Sequence, residues 1–149
     1  MFRGTFEHSI DAKGRTSVPG KFRDQLAEPQ DPRLVATMDL VARCLHLRTV
    51  PEWEKVEQQI LKLPQLEPAV QHVRRFYVGS AHELELDKMG RVLIPPTLRE
   101  YARLTKDVIW SGQLSLIEVW SKEGWKKAQV SLTNGEHASE IARVLAELR

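Results

Sequence analysis

The sequence predicts an α+β, β-rich fold built from two copies of one small module, related by a pseudo-twofold within one chain so that two equivalent sheets complete a shared barrel. Three observations carry this prediction. An internal repeat runs through the chain, each copy shows the period-two alternation of half-buried strands, and each copy places a glycine turn and a proline at the same points.

The repeat is clearest between Ile10–Arg23 (IDAKGRTSVPGKFR) and Leu86–Arg99 (LDKMGRVLIPPTLR), which align without gaps at an offset of 76 residues, the separation of Asp11 from Asp87. Asp, Gly, Arg, Pro and a final Arg coincide, Glu7 coincides with Glu83, and the apolar positions keep their character: Ile10 with Leu86, Val18 with Ile94, Phe22 with Leu98. Further on, HLRTVPEWEKV matches EVWSKEGWKKA, with Trp53 against Trp125, at an offset of 72, so the second copy is shorter by four residues.

Within each copy the elements follow in order. GTFEHSI and AHELEL alternate as strands and meet Gly14 or Gly90, where a residue without Cβ can take positive φ. The chain leaves each turn through a second strand, RTSV or RVLI, into Pro19 or Pro95, whose fixed φ suits the first turn of a short helix. Phe22 and Leu26 share one face of that helix, as do Leu98 and Ala102. Two more strands close each copy: RLVAT and CLHLR in the first, DVIWS and LIEVW in the second. A module of roughly 45 residues is too small to bury an adequate core alone, so the halves should pack together.

Between the copies, Trp53, Val56, Ile60 and Leu63 have helical spacing over Pro51–Leu63, and a second helix runs from Pro68 to Tyr77 before the breaker Gly79. After the second copy, Ser121 can cap a helix carrying Trp125, Ala128 and Leu132. Asn134-Gly135 then separates it from a last helix with an apolar stripe of Ile141, Val144, Leu145 and Leu148. That stripe suits either a subunit contact or packing on its own domain. The expected division is module 1 over 5–51, a helical connector over 52–79, module 2 over 80–123 and C-terminal helices over 124–149.

Composition narrows the function classes. With 42% hydrophobic and 28% charged residues the chain has the balance of a soluble globular protein. No apolar run approaches the roughly 18 residues of a membrane span, and MFRGTFEHSIDAKGR carries charges where a signal peptide is apolar, so a cytoplasmic protein without membrane contact is expected. The single cysteine, Cys44, excludes an intrachain disulfide and reads as a half-buried strand thiol. Five histidines show no metal-ligand spacing along the chain, HELEL lacks the second histidine of a zincin helix, VGSAH is not a nucleophile elbow, and no glycine-rich phosphate loop is present. No catalytic residue, cofactor or metal is therefore expected, and the protein is read as a non-enzyme.

The net charge of +2 hides an uneven distribution: Arg3, Lys13, Arg15, Lys21 and Arg23 crowd the first 25 residues, whereas PEWEKVEQQ is acidic. Lys13 and Arg15 bracket Gly14, and Lys88 and Arg91 flank Gly90, giving two basic turn tips. A paired strand ribbon can enter the major groove, where an arginine bidentate to guanine gives about 1–3 kcal/mol of discrimination. Arg15 and Arg91 are the candidates to read bases or lock adjacent phosphates. Lys13 and Lys88 suit phosphate contacts, and Arg3, Lys21, Arg23 and Arg99 either widen the footprint or are solvated surface charge. In a competing reading, Asp11 and Asp87 bond the turn backbone and the arginines merely pair with them. The aspartates themselves are excluded from the DNA contacts, because phosphate would repel them.

The duplicated D-x-x-G-R-x-x-x-P motif (Asp11, Gly14, Arg15, Pro19; Asp87, Gly90, Arg91, Pro95), together with the opening MFRG, resembles the MraZ family over nearly the whole chain. Each half is similar to a SpoVT/AbrB-type swapped-hairpin module, and the resemblance implies a pair of them in a double-psi-like barrel. It also implies a sequence-specific regulator that binds double-stranded promoter DNA, usually a repressor of its own promoter within the bacterial cell-division and cell-wall gene cluster. The implied assembly is a ring-shaped homo-oligomer on short tandem repeats, at the nucleoid, where linked weak contacts gain affinity through effective concentration. The competing class is a scaffold or antitoxin-like module that uses the same fold to bind protein.

Overall fold

The computed structural model describes residues 1–26 and 31–148. The first half contributes β1 (Thr5–Ser9), β2 (Arg15–Ser17), α1 (Gly20–Leu26), β3 (Leu34–Met38), β4 (Leu45–Thr49) and α2 (Val50–Leu61). A linker helix α3 (Pro68–His72) runs on into a π-helical stretch, Val73–Val78. The second half repeats the order with β5 (His82–Leu84), β6 (Arg91–Leu93), α4 (Pro96–Ala102), β7 (Asp107–Gln113), β8 (Leu116–Ser121) and α5 (Lys122–Thr133), and α6 (Ala138–Ala146) follows. All eight strands that the repeat predicts are present.

Pairing crosses between the halves. β1 lies antiparallel to β7 of the second half, β5 lies antiparallel to β3 of the first, and β4 and β8 meet in the middle of a six-stranded sheet of order β1-β7-β8-β4-β3-β5. That order reads the same when the halves are exchanged. A separate two-stranded ribbon pairs β2 with β6. The pseudo-twofold passes between His46 and Glu118 in the sheet, and between Thr16 and Val92 in the ribbon, because each of these residues sits opposite its own equivalent. Among the described residues the strands do not close into a continuous ring of pairs; the ribbon forms a second layer, joined to the residue after β1 by the isolated bridge Ile10↔Thr16.

The register also locates the four residues by which the copies differ. Glu7 sits opposite Ile109 and its equivalent Glu83 sits opposite Val35, which makes Val35 and Ile109 equivalents at an offset of 74. His46 and Glu118 then stand at 72. Two of the extra residues in the first half therefore fall between α1 and β3, and two fall in the β3–β4 connection, Asp39–Cys44. The matching β7–β8 connection is a tight turn with Leu114 at φ 68.

One face of the sheet, the ribbon and helices α1 and α4 enclose the core. Leu34, Ala36, Leu45, Leu47, Val108, Trp110, Ile117 and Val119 point inward from the sheet; Phe22 and Leu98, equivalent residues of α1 and α4, fill the centre fully buried. Phe2 and Phe6 pack edge-on against Phe22 at ring separations of 5.5 and 5.3 Å. The chain thus builds from two modules the single core that neither could supply alone.

Thr49 and Ser121, at equivalent positions, cap α2 and α5: Oγ1 of Thr49 accepts from the Glu52 N–H at 3.4 Å, and Oγ of Ser121 from the Gly124 N–H at 3.0 Å. No residue of α5 or α6 is buried, and Val144, Leu145 and Leu148 stay exposed, so the last stripe is not covered by its own domain. Cys44, expected half-buried within a strand, is fully buried and lies just before β4. No helix among the described residues is long and apolar enough to cross a membrane.

Candidate nucleic-acid interface

Each D-x-x-G-R turn is tied by its aspartate. Oδ1 of Asp11 accepts the backbone N–H of Lys13 at 3.0 Å and of Arg15 at 2.9 Å, while Oδ2 accepts Arg15 Nε–H at 2.8 Å. The second copy repeats this atom for atom: Oδ1 of Asp87 takes the N–H groups of Met89 and Arg91 at 2.9 Å each, and Oδ2 takes Arg91 Nε–H at 2.9 Å. Gly14 and Gly90 carry φ of 94° and 76°, the left-handed region that only a residue without Cβ enters freely.

The bonds from the Arg15 backbone and side chain hold the Asp11 carboxyl down, from an ordinary 3.8 to about 2, and the Arg91 backbone N–H chiefly holds Asp87 below its usual range. A folded-state value below the unfolded one means that this contribution to stability is full above pH 3.8 and disappears as pH falls through about 2. The turn geometry should therefore be constant across neutral and mildly acidic pH. Titration of the Asp11 carboxyl carbon by NMR should show its inflection near pH 2, and an inflection at the ordinary carboxylate value would mean the Arg15 contact does not persist in solution.

The arginine–aspartate pairing is thus formed, but it uses only Nε. Among the described residues neither arginine's terminal Nη groups have a protein partner, and the side chains of Arg15 and Arg91 remain 38% and 28% exposed. Thr16 and Val92 point into the core, so by strand alternation Arg15, Ser17, Arg91 and Leu93 share the outer face of the ribbon. Arg15 lies opposite Leu93 and Arg91 opposite Ser17, placing the two arginines one diagonal apart, roughly 7–8 Å. The two basic tips read from the sequence are one continuous face.

Two further arginines cross between the halves to reach it. A Cβ on Gly14 would stand 2.6 Å from Nε of Arg99, and one on Gly90 would stand 2.3 Å from Nη1 of Arg23, so each helix arginine lies over the other half's turn. Nε of Arg99 also donates to the Ile94 carbonyl at 3.0 Å. Backbone bonds follow the same exchange, with Val18 N–H donating to Gly90 O and Ile94 N–H to Gly14 O. With exposed Lys13 and Lys88, the ribbon gathers six cationic side chains around the two aspartates.

Arg3 and Lys21 are not part of that cluster. Arg3 lies beside Gly112, two residues before β1, roughly 25 Å along the chain from the Asp11 turn. Lys21 projects from α1 about 200° around the axis from Arg23. Proximity in sequence placed both near the tips; the direction of β1 and the turn of α1 take them away. The reach of Arg23 and Arg99 onto the opposite copy's glycine has no local sequence signal and follows only from the swapped pairing.

Comparison with known proteins agrees with the duplicated architecture. The family described as "MraZ protein, putative antitoxin-like" matches twice, over residues 1–76 and 77–144. A protein named transcriptional regulator MraZ from Marinomonas sp. (strain MWYL1) is 47% identical over 126 residues, covering 85% of this chain and 83% of that one. The transcriptional regulator MraZ of Hydrogenovibrio crunogenus is 38% identical over 148 residues, covering 99% and 97%, and that of Alkalilimnicola ehrlichii 43% over 129 residues, covering 87% and 86%. These relatives are all named transcriptional regulators. Two family matches that divide the chain at its own repeat, and identity spanning 97% of one relative's length, establish that this chain belongs to the MraZ family.

Proposed function

We propose that the chain regulates transcription by binding duplex DNA in a sequence-specific way through the outer face of the β2–β6 ribbon. One observation carries the reading: Asp11 and Asp87 clamp Arg15 and Arg91 at Nε, while the terminal Nη groups have no protein partner among the described residues and the side chains stay 38% and 28% exposed on the outer face of the ribbon. A guanidinium held in this way keeps the paired donors that match O6 and N7 of guanine, and loses little rotamer freedom on binding. A two-stranded ribbon also fits the width of a major groove. Lys13, Lys88, Arg23 and Arg99 flank the arginines and contact phosphates. The names of the relatives support the regulatory role, and the exposed apolar stripe of α6 offers a surface for self-association into the ring-shaped homo-oligomer.

In this reading several ribbons of one ring engage short tandem repeats in the promoter of the chain's own gene, at the nucleoid in the cytoplasm, repressing the cell-division and cell-wall cluster. A gel shift with that promoter, in excess competitor DNA and across a salt series, tests it. A specific complex is expected, with a slope of log affinity against log salt near −3.6 per engaged protomer, from four phosphate contacts at about −0.9 each. Binding with no preference for the promoter over scrambled DNA would instead favour the protein-binding, antitoxin-like reading.

A further inference from the structure

On the face of the sheet turned away from the core, four side chains of metal-ligating type converge without any role in the ribbon. Asp39 and Cys44 lie at the two ends of the β3–β4 connection, His46 is on β4 and Glu118 on β8, and one ligand atom from each falls within 4.8 Å of all the others. Sγ of Cys44 is 3.6 Å from Oδ2 of Asp39 and 3.8 Å from Oε2 of Glu118; Nε2 of His46 is 3.5 and 3.6 Å from the same two oxygens. A tetrahedral zinc with bonds of about 2.0–2.3 Å has ligand–ligand edges of roughly 3.3–3.8 Å. Four of the six edges, at 3.5–3.8 Å, already lie in that range, and the other two are within 4.8 Å.

The surroundings orient the ligands as a metal would need. Nδ1 of His46 stands 2.7 Å from the Tyr77 hydroxyl, so a proton on Nδ1 can donate there and leave the Nε2 lone pair directed at the cluster. Arg48 Nη1 also donates to that hydroxyl, and the π-helical stretch Val73–Val78 carries Tyr77. Trp120 Nε1–H donates to Oε1 of Glu118 at 3.0 Å, occupying the oxygen that does not face the cluster. Asp39, His46 and Glu118 side chains are 16%, 14% and 20% exposed, which gives an ion an entry path, while Cys44 is fully buried.

From this arrangement we propose that Asp39, Cys44, His46 and Glu118 form a four-coordinate site for a divalent first-row transition cation of the zinc type. One soft sulfur with nitrogen and oxygen selects against magnesium and calcium, which take oxygen ligands. On binding, the Cys44 thiol proton leaves to solvent and the thiolate, imidazole and two carboxylates take the four positions. Three ligands come from the first half and Glu118 from the second, so the ion crosslinks the halves where β4 meets β8 on the pseudo-twofold. The site belongs to one side only: Leu116 stands at the position equivalent to Cys44, and Asp39 and Cys44 bound the connection that is two residues longer in the first copy.

The test uses the purified full-length chain incubated with zinc, freed of loose ion by gel filtration, and assayed for bound metal and melting temperature. Cobalt(II) is the spectroscopic probe. One retained zinc per chain, a higher melting temperature, and a near-ultraviolet thiolate-to-cobalt band are expected. Cys44→Ala should lose the band and lower zinc affinity at least tenfold, and Asp39→Asn should lower it with the fold and Cys44 intact. Wild-type protein that retains no zinc and shows no cobalt band would overturn the proposal, leaving the cluster as a hydrogen-bonded contact of His46 with the two carboxylates. So would equal retention by wild type and both variants, which would place the ion elsewhere.

Discussion

Replacing Arg15 and Arg91 together with alanine is expected to weaken binding to the cognate promoter by roughly 30-fold to 10⁴-fold per engaged protomer, from about 1–3 kcal/mol of base discrimination at each. The chain should remain folded, because each arginine's contribution to its own turn is one half-exposed i,i+4 ion pair, and exposed pairs contribute little to stability. Residual binding through Lys13, Lys88, Arg23 and Arg99 should keep its salt dependence and lose its preference for the promoter. The double Arg→Lys variant separates charge from geometry: it restores two cations but not the forked donors, so it should recover non-specific affinity and little specificity. Gel shifts with promoter and scrambled duplexes read both quantities, and far-ultraviolet circular dichroism checks the fold. An alanine variant that discriminates as well as the wild type would show that the ribbon does not read bases.

Much of this architecture was legible before any coordinates, and the parts that were not share a cause. The eight strands follow from period-two alternation and from a repeat that supplies each assignment twice: RTSV is ambiguous alone, and RVLI in the equivalent place resolves it. The turns follow from Gly14 and Gly90, since left-handed φ is a local demand with a local residue signature. What periodicity does not encode is which strand a strand pairs with. β1 alternates equally well against β3 or β7, and the structure pairs it with β7. Everything that depends on that exchange was hidden with it, including Arg23 over Gly90 and Arg99 over Gly14. The cluster of Asp39, Cys44, His46 and Glu118 was hidden in the same way: spacing rules along the chain do not see a ligand 72 residues away that register brings opposite His46.

Trp110→Ala should be the most destabilising single substitution in the core, by about 3–5 kcal/mol. Trp110 is fully buried on β7 opposite Phe6 of β1, so truncation opens a cavity at the seam where one half's strand is held in the other half's sheet. Leu45, Ile117 and Val119 line the same inner face from β-strands fixed by their ladders, and they cannot collapse into the space without breaking register. Because β1 leads directly into the Asp11 turn, the loss should also loosen the ribbon and reduce promoter binding, unlike a surface substitution of equal charge. Trp110→Phe should cost much less than Trp110→Ala, for a reason specific to this position. The indole Nε1–H is buried without an acceptor among the described residues, so removing it relieves an unpaired donor while most of the ring volume stays. Chemical denaturation of the wild type and both variants measures the difference. A Trp110→Ala loss below about 1 kcal/mol would mean that the β1–β7 seam is not where the two halves are held together.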